Sequence, residues 1–229
     1  MPRFDLSPRE LRAYRPEVPE PADFDAFWAA TLRDHSPSDT PATVAVARTK
    51  LSLVDVFDVT YAGFDGHPVR AWLLVPAGAG GPLPAVVEFV GYGGGRGLPH
   101  ERLAWVNAGY VHLVMDTRGQ GSSWGTGGDT PDPVGAGPAT PGYMTRGIED
   151  PASYYYRRVF VDAVRAVEVV RALPQVDASR VAVTGGSQGG GITIAVAGLT
   201  GGLVGAMPDV PFLCHFDRAV GITDSDPYY

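Results

Sequence analysis

The residues with the most chemical potential are Gly185-Gly186-Ser187-Gln188-Gly189, a serine with glycine two positions before it and two after. The apolar run Val181-Ala182-Val183 leads into it, and Gly190-Gly191-Ile192-Thr193-Ile194-Ala195-Val196-Ala197 follows, which predicts a strand, a tight turn and a helix. Bulky residues two positions either side of the serine would collide with the neighbouring strand and helix. Glycine at both places lets the chain double back and leaves the Ser187 hydroxyl exposed. The chemistry implied is acyl transfer by a nucleophilic serine. A glycine-rich turn without chemistry is the bland reading of the same five letters in a chain with 30 glycines, and the flanking strand and helix weigh against it.

Acyl transfer places negative charge on the former carbonyl oxygen, and preorganised N–H donors stabilise that oxyanion. On a strand-turn-helix nucleophile one donor is the backbone N–H of the next residue, here Gln188. The second comes from the loop after an earlier parallel strand. Gly91-Tyr92-Gly93-Gly94-Gly95 suits the task because its backbone can approach a bound acyl group, and the second N–H is assigned to Tyr92. A phosphate cradle is the competing use of such a loop. G-x-G-x-x-G fails at every register here and no Lys-Ser/Thr pair follows, so no nucleotide cofactor is expected.

These residues need a sheet to position them. Pro84-Ala85-Val86-Val87-Glu88-Phe89-Val90 and Val111-His112-Leu113-Val114-Met115-Asp116 are near-continuous apolar runs, as in strands buried on both faces. Residues 54–76 predict a hairpin around Phe64-Asp65-Gly66-His67-Pro68, forming an antiparallel edge of the sheet. A Gly/Pro-rich excursion runs from Arg118 to about Pro151, and so long a loop in a compact domain is usually functional. Apolar residues at Val159, Val161, Val164, Val167, Val170 and Leu173 predict a helix over 154–173, ended by Pro174. A further strand is expected at about 203–210. Phe24, Phe27, Trp28 and Leu32 predict an amphipathic helix within an N-terminal segment of about 40 residues. Alternating strands and helices imply one α/β domain over 1–229 with a mostly parallel sheet and Ser187 at the carboxyl end of an interior strand.

Composition narrows the partners. A formal charge of −7 without a basic cluster argues against nucleic acid and anionic membrane, and no run approaches the roughly 18 to 20 apolar residues of a membrane span. Met1-Pro2-Arg3-Phe4-Asp5-Leu6 lacks the profile of a secretory signal, which makes a cytoplasmic location the expectation. The single cysteine, Cys214, sits in an apolar run and is expected to be a buried, inert thiol. The single lysine, Lys50, against 17 arginines reflects compositional bias.

The chain resembles the acetyl xylan esterases and cephalosporin C deacetylases of carbohydrate esterase family 7, within the α/β-hydrolase superfamily. The resemblance rests on Phe24-Asp25-Ala26-Phe27-Trp28, on Gly91-Tyr92, and on Asp116-Thr117-Arg118-Gly119-Gln120-Gly121-Ser122. It extends through Gly185-Gly186-Ser187-Gln188-Gly189-Gly190-Gly191 and the tail Ile222-Thr223-Asp224-Ser225-Asp226-Pro227-Tyr228. It implies an α/β-hydrolase fold and a cytoplasmic deacetylase of small acetylated sugars such as xylo-oligosaccharides and of related acetyl esters such as cephalosporin C. It also implies no metal or other cofactor, assembly as a homohexamer, and structural roles for Arg118 and Gln120 in bracing the loop near the site.

One departure is serious. Hydrolases of this fold carry the triad in the order Ser, Asp, His. After Ser187 the sequence offers one histidine, His215, and the acids Asp209, Asp217, Asp224 and Asp226. Ser187, Asp209 and His215 satisfy the order formally. The remaining length leaves no room for the strands and helices that deliver acid and base, however, and His215 beside Phe212, Leu213 and Phe216 is expected to be a packed structural residue. The expectation is that these residues form part of the family's catalytic domain, with the acid and base beyond Tyr229. His35, His67, His100 and His112 precede Ser187 and fall outside triad order, and His100-Glu101 is expected to start a surface helix. Two other readings compete: a related hydrolase, such as a dienelactone hydrolase or serine peptidase, and a non-catalytic module of the same fold.

Overall fold

Valine-rich segments build a seven-stranded sheet, and the turns between them decide its topology. The computed structural model describes residues 5–36, 40–121, 123–134 and 142–222. Helices α1 (Pro8–Ala13) and α2 (Phe24–His35) precede β1 (Thr43–Val46), β2 (Val54–Ala62), β3 (Pro68–Pro76) and β4 (Leu83–Phe89). Helix α3 (Leu103–Asn107), β5 (Val111–Met115), α4 (Tyr155–Arg171), β6 (Val176–Gly186), α5 (Gln188–Leu199), β7 (Gly205–Asp209) and α6 (Phe216–Ile222) complete the order.

The strands lie in the order β1-β2-β3-β5-β4-β6-β7. β5, β4, β6 and β7 run parallel, while β1, β2 and β3 form an antiparallel wing joined to β5. Every residue of β5 is buried, which is why its sequence is continuously apolar. Helix α4 lays Val159, Ala163, Ala166, Val167 and Val170 onto Val87, Leu113 and Val183, forming the main core. Because β6 is flanked by β4 and β7, its carboxyl end lies inside the sheet, as expected for the strand before Ser187.

Three expectations need correction. The 54–76 hairpin is not the sheet's edge, because β1 pairs outside β2. All four β1 residues are exposed, so burial imposed no apolar pattern on it. β6 starts well before Val181: Leu83 pairs with Val176, and a register shift follows where Asp177 accepts bonds from the Ser179 N–H (3.0 Å) and Arg180 Nε (2.7 Å). Those polar contacts disguise the strand's first half as a turn. Cys214 is exposed rather than buried, because positive φ at Leu213 (66°) and His215 (44°) winds the chain so that the thiol faces out. His100 does lie exposed on a short 3-10 turn, Pro99–Glu101. Residue 122 and the tail motif beyond Ile222 lie outside the described residues.

The ends of the sheet differ in role. β4, β5, β6 and β7 direct their carboxyl ends toward the glycine-rich loops, whereas Val54 pairs with Pro76 at the opposite end, where the turn carrying exposed Lys50 joins β1 to β2. Leu113, fully buried in β5, packs into the main core on the face covered by α4. Leu113→Ala is expected to cost about 3 kcal/mol, read as a lower urea midpoint with an unchanged slope.

Candidate active site

β6 ends at Gly186, the chain reverses at Ser187, and α5 begins at Gln188. Ser187 has φ 55° and ψ −117°, a strained conformation for a residue with a side chain. Neighbours hold it there. Its N–H donates to the Asp209 carbonyl (3.0 Å), and its own carbonyl accepts from the N–H groups of Phe212 (2.9 Å) and Gly191 (3.1 Å). The Ser187 side chain makes no capping bond to α5 and is exposed. The flanking glycines are required by space: a Cβ at Gly185 would lie 2.5 Å from the Gly189 carbonyl, and one at Gly189 would lie 2.0 Å from the Phe89 carbonyl oxygen.

The Gly91-Tyr92-Gly93-Gly94 loop sits beside this turn, because β4 pairs Phe89 with Gly185 and so brings both strand ends level. A Cβ on Gly91 would lie 3.7 Å from the Gly186 carbonyl oxygen. Within the loop, the Gly93 N–H donates to Gln120 Oε1 (2.7 Å) and the Gly94 N–H to the Gly91 carbonyl (3.1 Å). The N–H groups of Tyr92 and Gln188 have no hydrogen-bond acceptor among the described residues. Two free backbone donors therefore border the serine, at the positions assigned from the sequence.

What holds the loop comes from the excursion after β5. Trp124 Nε1 donates to the Tyr92 carbonyl (2.7 Å), and its half-exposed ring lies over Gly91 and Gly94, where a Cβ on Gly94 would come within 2.4 Å of it. The Tyr92 hydroxyl accepts from the N–H groups of Gly142 (3.2 Å) and Tyr143 (3.1 Å), and its ring meets Phe212 edge-on at 6.0 Å. Arg96, nearly fully buried, donates to Asp58 (2.8 Å), Asp129 (2.8 Å) and the Ala71 carbonyl (3.0 Å), with its guanidinium over the Trp72 ring. Asp116 accepts from the N–H groups of Arg96 (2.9 Å), Asp129 (2.6 Å) and Thr130 (2.9 Å). Burial still pushes the Asp116 carboxyl above the usual range.

Beneath the turn, the side chains of Gln120 and Gln188 pair amide to amide, at 2.9 and 3.1 Å. Gln188 Oε1 also accepts from the Tyr156 hydroxyl (2.8 Å), and Gln120 Nε2 donates to the Tyr155 hydroxyl (3.0 Å), which in turn donates to the Arg118 carbonyl. Burial pushes both phenols well above their usual range, so they remain protonated donors. Arg118 makes a buried two-bond pair with Asp162, at 2.6 and 2.7 Å, and Asp162 also accepts the Phe64 N–H (2.8 Å). Burial alone would lower the Arg118 pKa, but Asp162 and Asp132 outweigh it and hold the guanidinium charged. Asp132 lies against Arg118 (3.4 Å), Arg146 (3.2 Å) and Arg158 (2.9 Å). The Gln120 side chain thus braces the Gly93 loop, while the Arg118 side chain braces the excursion against Asp162 and Asp132.

Among the described residues no histidine is hydrogen-bonded to Ser187. His215 meets the Tyr14 ring edge-on at 5.8 Å, and Asp209 contacts Ser187 through its backbone carbonyl, so the formal Ser187, Asp209, His215 order does not assemble into a bonded triad. His35 lies 2.6 Å from Asp65, His67 lies 3.4 Å from Arg118, and His112 is buried 3.0 Å from Glu88. Among the described residues, no group of three or more His, Cys, Asp or Glu is placed to hold a metal, and no helix is long and apolar enough to cross a membrane. Sequence reasoning missed Tyr155, Tyr156, Arg158 and Asp162. Their signal was charge and hydroxyl at helical spacing within an apolar helix, Arg158 and Asp162 being one turn apart.

The sequence profile of the acetyl xylan esterase (AXE1) family matches residues 1–229. The chain belongs to the acetyl xylan esterase family. Acetyl esterase Axe7A of Xylanibacter ruminicola is 30% identical over 205 residues, covering 86% of this chain and 44% of that protein. The chain therefore spans less than half the length of this curated relative. The acetyl xylan esterase from Paenibacillus sp. R4 superposes with a TM-score of 0.88 at 42% identity, covering 97% of this chain and 70% of that one. Acetyl xylan esterase 1 from Thermoanaerobacterium sp. JW/SL YS485 gives 0.85 at 31% identity, covering 95% and 67%. Membership in the acetyl xylan esterase family and the mixed α/β sheet agree with the sequence-based resemblance.

Three outcomes test this framework. Ser187→Gly should be more stable than Ser187→Ala by about 1 kcal/mol, because glycine adopts the positive φ without strain; comparative urea melts check it. Asp162→Asn leaves the Arg118 charge buried without its main partner and should cost about 3 to 5 kcal/mol, read by the same melts. Burial raises the Asp132 carboxyl, but Arg158 and Arg118 outweigh it and hold it below the usual range. A depressed folded pKa contributes stability that is present above the unfolded value of about 4 and is lost as pH falls through the folded one. Thermal midpoints should therefore drop with acidification below about pH 4, and less steeply in Asp132→Asn.

Proposed function

We propose that this chain carries the nucleophile and oxyanion hole of a serine esterase that removes acetyl groups from small acetylated sugars such as xylo-oligosaccharides, and from related acetyl esters such as cephalosporin C. The observation that carries this reading is the strained, exposed Ser187 beside two unengaged N–H groups, those of Gln188 and Tyr92. In the reaction, Ser187 Oγ bonds to the acetyl carbon as a base removes its proton. Charge moves onto the carbonyl oxygen, where the Gln188 and Tyr92 N–H groups receive it. The bond to the sugar oxygen breaks, that oxygen takes a proton, and water then attacks the acyl-enzyme to give acetate and regenerate Ser187.

The acid and base belong, in this reading, to residues beyond Tyr229. The greater length of the relatives supports it, as do exposed apolar side chains spread over α5, the edge strand β7 and its flanks, and α6: Ile194, Val204, Met207, Val210, Phe216 and Val220. Further chain packed there would cover that surface. A cytoplasmic location and a homohexamer accompany the reading, supported by the resemblance to family 7. The substrate is the small ester, with no nucleic-acid or membrane partner.

A chain extended through the family's remaining segments should hydrolyse a chromogenic acetate ester. Ser187→Ala in that chain should lower the rate at least about a thousandfold, and a variant that kept its full rate would overturn the serine mechanism.

A further inference from the structure

Away from Ser187, a cavity of about 300 Å³ opens between α2 and the start of α4. Phe24, Phe27 and Trp28 line it from α2, and Tyr154 and Phe160 from the other side. Trp28 and Phe160 are 6.0 Å apart, Phe27 meets Trp28 edge-on at 5.5 Å, and Phe24 remains 43% exposed at the rim. The volume is at the low end for small-molecule sites, roughly 300 to 1,000 Å³. Tyr156 separates the cavity from the elbow, since its hydroxyl reaches Gln188 while its ring packs 5.7 Å from Tyr154 and 6.0 Å from Phe160.

Two charged groups share the lining. Arg157 spends Nε on the Thr31 hydroxyl (2.9 Å) and one terminal nitrogen on the Ala152 carbonyl (2.8 Å), with its guanidinium 5.1 Å above the Phe27 ring. Its other terminal nitrogen has no hydrogen-bond partner among the described residues. Asp23 precedes α2 without capping it, and its carboxylate makes no hydrogen bond among the described residues. The cavity therefore offers aromatic walls together with an unspent planar donor and an unspent planar acceptor.

That combination discriminates among ligand classes. A purely apolar occupant would strip water from Arg157 and Asp23 without replacing it. An anion would be repelled by Asp23 and a cation by Arg157. A pyranose fits both demands: its C–H face packs on aromatic rings, whose faces carry negative charge, and its neighbouring hydroxyls both donate and accept. We propose that this cavity is a second, non-catalytic sugar site that binds a xylopyranose unit of a xylo-oligosaccharide. The choice of xylose rests on the esterase reading above, whereas a sugar-shaped site at this place does not.

Unacetylated xylotriose titrated into the Ser187→Ala chain tests it without any turnover, so failure here is distinct from failure of the esterase reading. The four tryptophan indole signals are followed by NMR. The expected result is a saturable shift of the Trp28 indole, with affinity reduced about tenfold by Phe24→Ala. Asp23→Asn, a surface change that leaves packing intact, should weaken binding several-fold at an unchanged thermal midpoint. Saturation that moves only Trp124 and ignores both variants would mean that the sugar occupies the catalytic cleft alone and would overturn the proposal. The absence of saturable binding would overturn it equally.

Discussion

The Gln120 and Gln188 side chains meet beneath the turn that carries Ser187, and the arrangement of that turn and the neighbouring glycine-rich loop depends on their meeting. A buried primary amide is costly unless its donors and acceptor are used. Here each amide is satisfied by the other and by groups from separate segments: the Gly93 N–H from the loop, the Val90 carbonyl from the end of β4, and the hydroxyls of Tyr155 and Tyr156 from α4. Gln188 is also the residue whose backbone N–H, next to Ser187, has no acceptor among the described residues. Its side chain therefore anchors that N–H from below, while Gln120 holds the Gly93 N–H of the neighbouring loop. Displacing either amide would strand several polar groups at once, each costing about 1 to 3 kcal/mol. Such coupling keeps a glycine-rich loop in one arrangement.

A second layer of charge supports the first. The chain is acidic overall, yet Arg96, Arg118 and Arg158 are almost completely buried, each against carboxylates. Buried ion pairs of this kind are weak contributors to net stability, since desolvation offsets attraction. Their geometry is demanding, however, and a guanidinium holding two carboxylate oxygens fixes orientation as well as distance. Arg118 ties the excursion to α4 and, through Asp162, to the turn between β2 and β3. Arg96 ties the glycine-rich loop after β4 to β2 and β3. The long segment between β5 and α4 thus has defined anchors despite its glycine content.

The elements whose patterns are local were legible from the residues alone. β4, β5 and α4 are buried, so burial wrote continuous or periodic apolar runs into them, and the elbow is legible because glycine is sterically compulsory at 185 and 189. β1 was invisible because all of it faces solvent. Cys214 was misjudged because an apolar run says nothing about the positive φ angles that turn it outward. The supports of the site were harder still. Trp124 lies more than thirty positions from Tyr92, and Asp162 more than forty from Arg118, so no spacing rule connects them. The tyrosine and arginine run at the start of α4 was in plain view, but its polar groups look like surface until the sheet places them underneath Ser187.

The turn between β1 and β2 has a practical meaning. Lys50 is the one side-chain amine among these 229 residues, and it stands exposed at the end of the sheet opposite Ser187. Amine-reactive coupling through that side chain would tether the molecule by its far pole, with the Ser187 end directed away from the support. Compositional bias toward arginine leaves these residues a single side-chain amine as a handle for oriented immobilisation.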